Sequence, residues 1–181
     1  MGTEAIINPF RLDIDPMERL LLVNFEKDPD AVYVIFEPQV FNDTVNGQGY
    51  MVIGWRRDGR VDIFHQPGLK LNPANYDITG KGLANMVERE LPGAMYQVND
   101  AGVQAHYEFQ DSHNRTVIIN INEQNPRQRK PFGLLAPLGA TAESPSALPV
   151  VLLHDFYFVR RQHTAIEISI DGKRHQPDVF P

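Results

Sequence analysis

The chain has 181 residues, no cysteine and a formal net charge of −6, and at this length roughly 70% of the unfolded surface can be buried in one core. The missing thiols exclude disulfides and thiolate metal ligands and favour a reducing compartment, while the acidic balance argues against a phosphate-backbone binder. No apolar run approaches the ~20 residues that span a bilayer, and no basic start with an apolar signal core opens the chain, so the expectation is a soluble, cytoplasmic protein with no nucleic-acid partner.

Residues 1–14 alternate weakly, as an edge strand or a loose arm does. Asp15-Pro16-Met17-Glu18 supplies an N-cap residue, a proline suited to the first helical position and a glutamate three places after the cap. With Arg19-Leu20-Leu21-Leu22-Val23 behind it, this predicts one short helix ending before Asp28-Pro29.

Beyond it the pattern turns to short strands. Residues 31–36 (AVYVIF), 49–56 (GYMVIGWR) and 60–66 (RVDIFHQ) are rich in β-branched and aromatic side chains, and Asp58-Gly59 between the last two predicts a hairpin with a type I′ turn. Residues 67–82, with two prolines and three glycines, read as a long connection, and Gly80-Lys81-Gly82 lacks the spacing of a phosphate loop. Residues 83–91 fit a helix or a twisted strand and are assigned to a strand by their neighbours.

Residues 95–98, 103–110 and 115–123 form a predicted meander. In the middle strand Val103, Ala105, Tyr107 and Phe109 make an apolar face, opposite Gln104, His106, Glu108 and Gln110. That polar face is either wetted by solvent or the lining of a ligand site. The proline-rich stretch 124–148 is expected to fold as a lid over one end of the sheet, anchored by Phe132, Leu134 and Leu135. Residues 148–161 (LPVVLLHDFYFVRR) are the longest apolar run and predict a strand covered on both faces, with His154 and Asp155 inside it. Residues 165–170 then lead into Asp171-Gly172, which implies one more strand, although the short tail leaves that hairpin looking unfinished.

No motif names a reaction. The six histidines lack metal-ligand spacing, and no cofactor motif is present, so neither metal nor cofactor is expected. Acid–base chemistry of hydratase or isomerase type has His154, Asp155 and His106 as candidate catalytic groups. The leading expectation is binding of a small, largely apolar molecule, with Trp55, Phe64, Tyr107, Phe156 and Phe158 lining a cavity in which His106 and Glu108 orient one polar group. A third expectation is an interaction domain of a larger protein. Oligomeric state is not encoded in any of these patterns.

The meandering sheet, Asp-Gly hairpins, aromatic inner face and capping loop over residues 31–170 resemble lipocalin-like barrels, in particular the bacterial group that contains carotenoid hydratases. With the chain length, at least eight strand-like runs between turn signals and the capping residues at 15–18, the expectation is a single all-β domain over residues 1–181, a curved antiparallel meander or lipocalin-like barrel with one short N-terminal helix. Gly54-Trp55 departs from that family's Gly-x-Trp and lies in a second strand, so no site residue carries over from it.

Overall fold

The computed structural model describes residues 10–14, 17–21, 23–44, 46–70, 87–99, 102–123, 132–137, 148–156 and 164–178. These form fourteen strands in two sheets. The larger sheet begins with β11 (Phe132–Pro137) and β12 (Leu148–Phe156), followed by β1 (Phe10–Ile14) and β2 (Met17–Leu20), which run end to end along the far edge of β12. Next come β4 (Tyr33–Asp43), with the two-residue β3 (Val23–Asn24) also paired to it, then β5 (Gly47–Arg56), β6 (Val61–His65) and β7 (Val87–Glu90). The smaller sheet has the order β14 (Lys173–His175), β13 (Thr164–Ile170), β10 (Thr116–Glu123), β9 (Gly102–Gln110) and β8 (Gly93–Asn99), antiparallel throughout.

The two sheets pack face to face. Period-two alternation directs Val103, Ala105, Tyr107 and Phe109 of β9 and Val117, Ile119 and Ile121 of β10 inward, where they meet Phe36, Val52 and Phe64 of the larger sheet. Phe109 sits at the centre, its ring 4.1 Å from that of Phe64 and edge-on to Phe36 at 6.0 Å. Each such buried ring contributes about 1.5–3 kcal/mol over leaving it exposed. The other face of the larger sheet is shielded too, since Met51, Ile53, Val61 and Ile63 lie on it and none is more than 3% exposed.

Two expectations about architecture are corrected. Neither sheet closes on itself, so the fold is a two-sheet sandwich and not a lipocalin-like barrel. The helix after Asp15 does not form either: residues 17–20 and 23–24 are strands on the edge of β4, and no helix occurs among the described residues. Capping signals weigh about 1 kcal/mol, less than the pairing and burial this segment gains beside β4, where Leu21, Val23 and Phe25 join the core.

Strand β4 also runs seven residues past the predicted end, through Pro38. A strand residue aims its N–H and C=O to the same side, and the Pro38 carbonyl accepts the Leu21 N–H at 2.9 Å. The N–H that proline lacks is therefore the one that would return to the Leu21 carbonyl, so this pair keeps one of its two ladder bonds, and the loss falls where the neighbouring strand breaks between β2 and β3.

The turns separate two kinds of hairpin. Asp171 and Gly172 both have positive φ, 51° and 77°, which gives the two-residue type I′ turn into β14. At the other Asp-Gly only Gly59 is positive, at 79°. The Gly59 N–H donates to the Arg56 carbonyl, and the Arg56 N–H donates to the Arg60 carbonyl. That loop is a type I turn followed by a glycine bulge, not the type I′ turn expected there, and Asn114 (φ 58°) repeats the arrangement between β9 and β10. The tail beyond β14 bonds back across the fold. Asp178 accepts the Glu26 and Lys27 amides, and Asp28 accepts the Gln176 amide.

Candidate functional site

The outer face of the smaller sheet carries two polar rows that cross its strands in register. One row is Met95, His106, Asn120 and Glu167 on β8, β9, β10 and β13; the next is Gln97, Gln104, Asn122 and Ala165 on the same four strands. Arg174 of β14 closes the β13 side through an ion pair to Glu167 at 3.0 Å. Above these rows lies a groove of about 580 Å³ whose lining includes Met95, Gln104, His106, Asn120, Asn122 and Glu167.

Within the first row the hydrogen bonds fix one another's direction. Asn120 donates from Nδ2 to Glu167 Oε2 at 3.2 Å, so its Oδ1 is the acceptor that faces His106 Nδ1 at 2.5 Å. His106 therefore carries its proton on Nδ1. Its Nε2 is left directed away from the row, 3.9 Å from Glu108 Oε2, beyond hydrogen-bond reach. In its neutral form the imidazole thus offers an acceptor at Nε2. In the second row Gln97, Gln104 and Asn122 make no side-chain hydrogen bond among the described residues. Each carboxamide presents a donor and an acceptor.

The predicted ligand-binding set is divided among separate surfaces. His106 and Glu108 lie on the outer face of the smaller sheet, with side chains 43% and 57% exposed. Tyr107 points the opposite way into the core, edge-on to Tyr50, and Phe64 enters the same core from the larger sheet, its ring tilted against Phe109. Trp55 pairs with Val61 on the far side of the larger sheet, and its buried Nε1 has no hydrogen-bond partner among the described residues. These residues therefore do not line one cavity.

His154, Asp155 and Phe156 belong to β12, and their side chains lie outside the described residues, as does Phe158 altogether. Phe132, Leu134 and Leu135 belong to β11, a strand within the long connection that pairs antiparallel with β12. Sequence reasoning missed Glu167 and Arg174. Alternation in β13 and the tight Asp171-Gly172 turn are the signals that place both on the polar face.

A second polar cluster joins the sheets at their edge. Asp62, fully buried on β6, accepts the Tyr33 hydroxyl at 2.6 Å, Arg56 Nη1 at 3.2 Å and the Ser112 hydroxyl at 3.2 Å. Its acceptors are occupied from three sides, and it is a structural pin, closed to ligands. Gly54 makes room for it, because a Cβ there would stand 3.0 Å from the Tyr33 ring.

Fold and site together define an all-β sandwich with an amide-rich groove on one outer face. No protein-family model, curated protein or solved structure matches the chain, so no relative supplies a ligand for that groove. No helix of the described residues is long and apolar enough to cross a membrane.

Proposed function

We propose that this chain is a binding module that holds a small molecule in the groove over the smaller sheet without transforming it. The observation that supports this reading is the pair Gln104 and Asn122, directly opposite each other on β9 and β10, two carboxamides with no side-chain partner among the described residues in a groove of about 580 Å³. That volume is within the range that suits a small ligand. A ligand here is polar where the sequence suggested an apolar one, because covering free amides with an apolar surface costs about 1–3 kcal/mol for each bond to water left unreplaced. Binding is favoured over catalysis because His106 and Glu108 are both widely open to solvent and no enclosed reacting position lies between them.

Side-chain amide resonances of Gln104 and Asn122, together with the His106 ring resonances, give a direct readout in isotope-labelled protein. A library of small neutral polar and heteroaromatic molecules is expected to yield members that shift all three residues. A library that leaves them unmoved at millimolar concentration overturns the reading.

A further inference from the structure

We infer that the ligand of this groove is a neutral saccharide, an inference that rests on the binding reading above and names its chemical class. The first argument is charge. Glu167 and Arg174, the acidic and the basic side chain of the groove lining, are tied to each other, so their charges compensate within the groove. A strongly charged ligand gains no net attraction from such a surface.

The second argument is the pattern of hydrogen-bonding groups. In the groove Gln104 and Asn122 stand opposite each other on adjacent strands, roughly 4.8 Å apart, and Gln97 continues their row on β8 beside the lining; each carboxamide both donates and accepts. In the adjoining row the neutral His106 ring, held in place by Asn120 and Glu167, offers an acceptor at Nε2 on its Glu108 side. A hydroxyl is the complementary group, since it donates to Nε2 or to an amide oxygen and accepts from an amide N–H. A molecule that carries several hydroxyls on a rigid ring satisfies the row with little conformational entropy lost.

The third argument is what frames the polar groups. Met95 at one end is an unbranched, adaptable apolar side chain suited to the C–H face of a sugar ring, and the small, exposed Ala165 at the other leaves the floor unobstructed. An extended peptide also donates and accepts, but recognition of peptides adds pockets for alternate side chains. Here the polar groups of the two rows that line the groove are mainly carboxamides and one imidazole.

The test uses the full chain with a panel of glucose, galactose, mannose, N-acetylglucosamine and short β- and α-linked glucose oligomers, read by saturation-transfer NMR and by the resonances of Gln104, Asn122 and His106. At least one saccharide is expected to shift these resonances saturably. The double variant Gln104→Ala/Asn122→Ala, at exposed or half-exposed positions, is expected to weaken that affinity about tenfold or more, as two lost hydrogen bonds do. Ala165→Trp fills the groove and is expected to abolish binding while the backbone amide spectrum remains that of the folded sandwich. Saccharide binding that both variants leave intact overturns the inference, because the site then lies elsewhere. If the panel is silent while heteroaromatic fragments or an extended peptide move the same resonances, the saccharide is overturned and the groove reading stands. If nothing moves them, both fall.

Discussion

Arg115 and Asp30 are 85 positions apart and meet in a bidentate ion pair, with Nη1 and Nη2 donating to the two carboxylate oxygens at 3.1 and 2.9 Å. The same guanidinium donates from Nε to Asp111 at 2.8 Å, so one cation from the end of the β9–β10 turn serves two carboxylates whose side chains are at most 9% exposed. Removing it takes the guanidinium from both buried carboxylates and leaves each only a distant imidazole, His175 Nε2 at 3.9 Å from Asp30 and His113 Nδ1 at 4.0 Å from Asp111. Arg115→Ala is expected to cost about 3–5 kcal/mol, and Arg115→Lys most of that, since an ammonium cannot reproduce the fork. Urea unfolding of the three proteins measures the difference.

The same pair sets an acid limit on stability. Burial by itself raises the Asp30 pKa, but the Arg115 bonds and the Val32 and Ala31 amides outweigh it, and the folded carboxyl lies below its ordinary value. A depressed folded pKa gives stability that is complete above the unfolded value of about 3.9 and is lost as pH falls towards the folded one. Stability measured across the acid range is therefore expected to fall below about pH 4, and Asp30→Asn to flatten that slope.

At alkaline pH the controlling contact is Tyr33 with Asp62. Burial first, then the bond to Asp62 and its negative charge, push the Tyr33 phenol well above its usual value. Raised in the folded state, this group contributes fully below its unfolded value of about 10 and less as pH climbs beyond it. Tyr33→Phe is expected to cost about 1.5–3 kcal/mol near neutrality, the loss of a bond to a charged acceptor, and to remove part of the alkaline fall. Gly54→Ala disturbs the same contact from the facing strand by pressing on the Tyr33 ring, at an expected cost of about 1–3 kcal/mol. Thermal melts between neutral and strongly alkaline pH separate the two effects.

The smaller sheet was legible because its strands alternate cleanly. Val103, Ala105, Tyr107 and Phe109 could face only one way, and His106 and Glu108 only the other, so the groove floor followed from β9 itself. The larger sheet was not legible to that depth. Residues 61–64 are all buried, with Val61 and Ile63 on one face and Asp62 and Phe64 on the other. A strand covered on both sides carries no pattern that tells inner from outer, and so Trp55 and Phe64 were grouped although they lie on opposite faces. Proline at 38 hides half of β4, and the capping residues at 15–18 mimic a helix start because pairing with a strand that begins at Tyr33 leaves no local trace. Asp-Gly marked both hairpins but not the turn type, which depends on whether one or two residues adopt positive φ.

The polar row on the smaller sheet makes a prediction that needs no ligand. Asn120 is held by Glu167 so that its oxygen, and not its amide nitrogen, faces His106, and the imidazole proton is thereby placed on Nδ1. Nitrogen-15 spectra of the neutral ring are expected to show Nδ1 protonated and Nε2 bare. In Asn120→Ala the acceptor is gone, and the ring is expected to lose this tautomer preference and its fixed orientation while the sandwich stays folded, because the side chain replaced is only half-buried on an outer face. Glu167→Gln is the sharper control. A carboxamide at 167 can still accept the Asn120 N–H through its oxygen, so the tautomer is expected to persist, and the change should appear at Arg174, whose ion pair is lost. If His106 shows its proton on Nε2 in the unaltered protein, the Asn120 amide is turned the other way, and the row offers a donor at the groove where an acceptor is expected.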